Sequence, residues 1–151
     1  MDKIFETAIF NRKTLTHFLN ELSYEQLIKI PENFNNSIFW NIAHILVTQQ
    51  LLAYKLSGLP LCIDVNLVEK YTKGSKATTD VSKEEIDYVK NNLVSTLLKT
   101  QEDYKNGVFK NYSKYDTSVN ISLNNIDDSL QFMTFHDGIH LGVILSLKKA
   151  L

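Results

Sequence analysis

Cysteine is nearly missing from this chain of 151 residues. Cys62 stands alone, so no internal disulfide can form and the fold must be held by packing and hydrogen bonds. Such usage suits a reducing compartment. The opening residues, Met1-Asp-Lys-Ile-Phe-Glu-Thr7, carry acids where a signal peptide has a basic stretch and an apolar run. A cytoplasmic location is the expectation. Charge of one sign is also missing: 16 Lys and Arg stand against 17 Asp and Glu, for a formal charge of −1. No basic cluster is present, which argues against nucleic acid and against an anionic membrane as partners. The last apolar run, Leu141 to Leu147, is too short to span a bilayer. Proline occurs twice and glycine five times, and the long periodic stretches avoid proline. Few breakers over such lengths point to an all-α protein. With 44% hydrophobic residues, one domain over residues 1–151 has enough apolar material for a core.

What is present is periodic. A first helix is predicted over Lys3 to Leu22, with Ile4, Ala8, Leu15, Phe18 and Leu22 facing inward and Asn11 interrupting them. Ser23 to Pro31 reads as a short helical turn stopped by the proline. A second helix runs from Ser37 to Ser57, capped by Asn36 or Ser37 and closed by Gly58 with Pro60 beyond. It is apolar over most of its circumference, hence mostly buried. The connection over residues 59–82 is long, with a short helix at Asn66 to Tyr71. Loops of that length in a compact domain usually carry function or cross over the fold. A third helix starts with Ser82 and Glu85 as a capping box and ends near Lys105. Its buried stripe is Ile86, Val89, Leu93 and Leu97. Residues 108–124 are irregular, and the alternation of Val119, Ile121 and Leu123 allows one short strand with no evident partner. A fourth helix runs from Ile126 to Ala150, capped by Asn124 or Asn125, with Asp127 and Asp128 at its positive end and Lys148 and Lys149 at its negative end. Gly138 and Gly142 lie inside it, each costing about 1 kcal/mol against alanine. Their presence points to close approach by another helix, a second subunit or a ligand. Four helices of this length make a four-helix bundle, in which the long second connection lets helices two and three run parallel.

Histidine is scarce, yet three of the four are placed for chemistry. His136 and His140 stand four apart, one turn apart on one helix face. With Val143 and Leu147 they form a face expected to look into the core. His44 lies in the apolar second helix. A neutral imidazole in such surroundings needs a hydrogen-bond partner or a metal, and both readings stand on the residues alone. Two familiar metal schemes are disfavoured. The middle acid of the His136–His140 pair is Asp137 and no His, Asp or Glu follows His140, which does not fit a zincin. No Glu-x-x-His occurs, which does not fit a di-iron bundle. A mononuclear three-histidine site from helices two and four remains. Imidazoles suit zinc, nickel, copper or iron.

The residues Asn36-Ser-Ile-Phe-Trp40-Asn-Ile-Ala-His44 and Phe135-His-Asp-Gly-Ile-His140-Leu-Gly142 give the chain a likeness to a known family. It resembles the DinB-like (DinB/YfiT) superfamily of small bacterial four-helix bundles, over essentially its whole length. The resemblance implies an up-down-down-up bundle, one divalent transition metal (zinc or nickel foremost) on His44, His136 and His140, and frequent homodimers. It also implies that some members transfer low-molecular-weight thiols. Many members carry a histidine and a glutamine where this chain has Ile139 and Val143, and a glutamate where it has Asp137.

Around the three histidines, Asn41 sits one turn before His44 and is read either as a group orienting that imidazole or as a surface asparagine. Asp137 points about 100° away from its neighbour His136 along the helix and is expected to face solvent or a partner. Trp40 is expected to pack beside the ligand set. His17 lies on a solvated face with Thr14 and Glu21, and Cys62 is read as inert rather than as a fourth ligand or a redox-sensitive thiol. Tyr54, Tyr71, Tyr112 and Tyr115 can line a pocket beneath the long loops. Two functional classes follow. One is a metal-dependent transferase or hydrolase acting on a small molecule, with a thiol or water as the nucleophile. The other is a non-catalytic, dimeric metal-binding or stress-response bundle.

Overall fold

The computed structural model describes residues 1–151, and helices dominate it. Helix α1 spans Asp2–Glu21 and buries Phe5, Ala8, Arg12, Leu15 and Leu19, a stripe at three- and four-residue spacing. The stripe is displaced from the expected one: Ile4 and Leu22 are only half-buried, while Arg12 takes a place in its middle. Ser23 then caps the short α2, Tyr24–Ile28, in a reciprocal box with Gln26.

Helix α3, Ile38–Gln49, starts at Ser37, whose hydroxyl accepts from the Trp40 amide at 3.1 Å. Every residue of α3 except Thr48 is buried. The expected single helix to Ser57 continues, but its winding widens to a π-helix over Gln50–Lys55. The wider turn accommodates two consecutive inward amides. Gln49 donates to the Thr100 hydroxyl, and Gln50 accepts from the Cys62 amide. Gly58, at φ +70°, ends the segment in the left-handed region that glycine tolerates.

Helix α4, Val65–Tyr71, is capped by Asp64 and packs on α3. Helix α5, Lys83–Lys105, buries Ile86, Val89, Leu93 and Leu97 as expected. Its cap is half of the expected box. The Ser82 hydroxyl accepts from the Glu85 amide, but the Glu85 carboxylate accepts from the Tyr71 hydroxyl instead of returning to Ser82.

The expected lone strand has a partner after all. Strand β1, Tyr115–Asp116, pairs antiparallel with β2, Ser122–Leu123, so that Tyr115 faces Leu123. Of the alternating set only Leu123 is buried; Val119 and Ile121 lie in the exposed turn.

Helix α6, Ile126–Lys149, starts at Asn125, whose side chain accepts from the Asp128 amide. Its buried residues are Ser129, Leu130, Met133, Asp137, Ile144 and Leu147. The core face is therefore centred on Asp137, and His136 and His140 sit on its flank, half-buried. No element lies within 4 Å of a Cβ added at Gly138 or Gly142. The expected close approach at these glycines does not occur within the chain. Helix α1 packs against α5 and α6, and α3 packs against the same two helices. No helix is long and apolar enough to cross a membrane.

Candidate metal centre

His44, His136 and His140 come together, with one ring nitrogen from each lying within 4.8 Å of the others. The ring centroids are 4.4 to 5.1 Å apart. Helix α3 supplies one imidazole and α6 two, because the i,i+4 spacing stacks His136 and His140 on the flank that meets α3.

The hydrogen bonds of the rings decide their tautomers. His44 Nδ1 lies 2.6 Å from the Tyr71 carbonyl, which can only accept, so Nδ1 carries the proton and Nε2 is bare. The Thr48 hydroxyl, 3.3 Å away, donates to that bare nitrogen. Asn41 donates through Nδ2 to the Ser37 carbonyl at 2.8 Å, which leaves Oδ1 to accept from His140 Nδ1 at 2.8 Å. His140 Nε2 is bare in turn. The third ring, His136, buries its Nδ1 with no hydrogen-bond partner; the nearest charge is Asp137 Oδ1 at 4.0 Å. Two lone pairs set by backing hydrogen bonds, beside a third imidazole whose Nδ1 has no partner, make a nitrogen donor set of the kind a divalent transition metal takes.

Burial keeps His44 and His140 neutral. Burial pushes His44 down to about 4 from the ordinary 6.5, against the opposing Tyr71 hydrogen bond. Burial, then the neighbouring His136 and His44, push His140 down to about 3. A ring that resists protonation keeps its lone pair for an ion well below neutral pH.

The surroundings depart from the sequence reading in several places. Asn41 is buried, not on the surface, and it orients His140 rather than His44. Asp137 does not face solvent or a partner: it is 3% exposed and paired with Arg12, which is fully buried. Trp40 stacks on the His44 ring, with centroids 4.8 Å apart and planes 11° from parallel, and fixes that ring's orientation. Of the four tyrosines, Tyr115 lines the pocket, whereas Tyr54 and Tyr71 are buried in hydrogen bonds to Asp103 and Glu85. His17 is exposed and apart.

Arg12 and the Tyr71 carbonyl are the contributors that the sequence reading missed. Arg12 had a signal: it occupies the middle of the stripe Phe5, Ala8, Arg12, Leu15, Leu19. A backbone carbonyl has none.

The histidines open onto a cavity of about 540 Å3. Both long connections reach it, Thr72, Lys73 and Gly74 from the first and Tyr115, Thr117, Ser118 and Val119 from the second. The lining is mostly apolar, and no carboxylate belongs to it.

A search of curated proteins finds no match. A family model for the DinB superfamily matches residues 9–144, a span that runs from α1 into α6 and includes all three histidines. With that match over most of its length, the chain belongs to the DinB superfamily.

Proposed function

We propose that His44, His136 and His140 hold one divalent transition metal, zinc or nickel foremost, and that the cavity beside it is the substrate site of a thiol-transferase or hydrolase type of enzyme. The observation that carries this is the unpartnered Nδ1 of His136 beside two imidazoles whose proton-bearing nitrogens are already engaged. A buried polar group without a partner is the exception in folded proteins and calls for an explanation. A metal in this place lowers the pKa of a bound water or thiol and so prepares a nucleophile near neutral pH. The protein's own part is positional. Tyr71 and Asn41 hold two rings, Trp40 braces one of them, and the apolar walls exclude water from the reacting groups.

The same reading takes the long helices α1, α3–π, α5 and α6 as an up-down-down-up four-helix bundle. It is supported by the packing of α1 and α3 each against both α5 and α6. It takes the partners to be a small molecule, including a low-molecular-weight thiol, and a second copy of the chain in the cytoplasm. The face for that copy is the side of α6 where Leu145 is exposed beside Gly138 and Gly142, next to Phe135 and Ile139, which are exposed and also line the cavity.

One observation favours a second reading, a non-catalytic metal-binding bundle. No Asp or Glu lines the cavity, so no carboxylate base stands ready beside the three rings. The deciding experiment measures metal content by mass spectrometry on protein purified without a nickel column, for wild type and His140→Ala. About one metal per chain in the wild type, lost in the variant, is the expected result. No metal in either, with melting unchanged by added zinc or nickel, would overturn the proposal. Thiol-transfer and hydrolysis assays on the loaded protein then separate the two readings.

A further inference from the structure

The cavity extends well beyond the histidines. Its floor along α3 and the π-turn is built by His44, Thr48, Leu51 and Lys55. Spacings of four, three and four residues keep these on one stripe over three turns, roughly 15 Å along the axis. Phe132, Phe135 and Ile139 of α6 add apolar lining. The cavity therefore carries a polar end at the three rings, an apolar middle at Leu51 and Leu52, and an ammonium group at the far end.

The charges in it are of one sign. Lys55 and Lys73 are the only charged residues of the lining. Neither makes an ion pair with a carboxylate. Lys73 follows by two residues the Tyr71 whose carbonyl binds His44, so it stands at the histidine end. Asp137, the acid nearest the rings, is neutralised by Arg12. A chain with a formal charge of −1 thus presents two unpaired cations to an apolar cavity. Clefts of one charge with low-dielectric walls concentrate ligands of the opposite sign.

We propose that this cavity binds an elongated organic anion, with a carboxylate-type head at Lys55 and an apolar body along Leu51 and Phe132 that reaches toward the three histidines. The assignment rests on the reading of this cavity as the substrate site, and it names the chemical class that the site selects. The volume of about 540 Å3 is that of an ordinary small-molecule pocket.

Trp40 is the single tryptophan and lines the cavity, so its fluorescence reports occupancy directly. The probes are straight-chain carboxylates of six to twelve carbons, with decylammonium and decanol as controls of equal length. They are titrated into metal-free wild type, metal-loaded wild type, His140→Ala, Lys55→Gln and Lys73→Gln. Decanoate is expected to bind at least about tenfold more tightly than either control, since a charge-assisted contact is lost in both. Affinity should rise about fourfold per added methylene until the cavity is filled. Lys55→Gln should weaken decanoate about tenfold and leave decanol unchanged, with a smaller loss in Lys73→Gln. Equal binding of the three head groups, no binding, or a larger loss in Lys73→Gln would overturn the proposal. Head-group selectivity in a protein that takes up no metal would sink the metal reading alone. Metal uptake without selectivity would sink the anion reading alone.

Discussion

Arg12 Nε donates to Asp137 Oδ2 at 2.9 Å, joining residues 125 positions apart in a pair that is closed to solvent on both sides. The guanidinium also donates to Gln49 Oε1 at 3.2 Å and to the Ile45 carbonyl at 3.4 Å, so α1, α3 and α6 are tied at one point. Asp137 adjoins His136, and the pair fixes the segment that carries two of the three histidines.

Breaking this pair from one side strands a buried charge. Arg12→Met or Asp137→Leu should each destabilise the protein by about 3–5 kcal/mol, whereas the double variant should lose clearly less than the sum. Urea unfolding of the four proteins of this cycle measures the coupling. Additive losses would show that the two side chains act independently.

Asn41→Ala removes the acceptor that holds His140 Nδ1. Loss of such a backing contact typically costs 10- to 100-fold in metal affinity. Competition with a chromophoric chelator should show a drop in that range, with helical circular dichroism retained. An unchanged affinity would mean that the ring is held by packing alone.

The metal-free protein should weaken in acid. His44 and His140 are pushed down to about 4 and about 3 in the folded chain, mainly by burial, while the unfolded chain titrates them near 6.5. Below 6.5 the unfolded state binds more protons, so the stability these rings contribute is complete above that pH and is lost as pH falls toward 3. Denaturant midpoints for metal-free wild type should fall between pH 7.5 and pH 4.5. Replacing both rings, as in His44→Phe with His140→Phe, should flatten part of that slope. An equal slope in the double variant would place the acid sensitivity elsewhere.

Gly138→Ala and Gly142→Ala meet nothing within the chain. Each should raise helix stability by about 1 kcal/mol in the monomer. If a second copy packs on this face, the added methyl groups should also shift sedimentation toward the monomer. A stabilised protein with unchanged association would move the interface off α6.

Much of the helical framework was legible because it depends on local rules. The starts of α5 and α6 follow from Ser82 and Asn125, each of which acts on its own neighbours. The three histidines were legible as candidates because the i,i+4 spacing of His136 and His140 is itself geometry, and because His44 lies in a helix too apolar to be exposed. Of the β1–β2 pair only β2 overlaps the strand that the alternation to Leu123 allows; β1, two residues at Tyr115–Asp116, is too short for any alternation to announce it. The π-turn at Gln50–Lys55 was not legible either: its first residue, Gln50, meets the Cys62 amide, a partner that no local pattern names.

Sequence alone determined the helical class, the caps and which imidazoles share a face, because backbone propensity and periodicity act within a few residues. Tertiary structure alone decided the chemistry of the site. The tautomers of His44 and His140 depend on a carbonyl 27 positions away and an amide 99 positions away. The burial of Asp137 depends on a cation supplied by the first helix. A buried charge or lone pair is settled by what packs against it, and that is a property of the assembled helices.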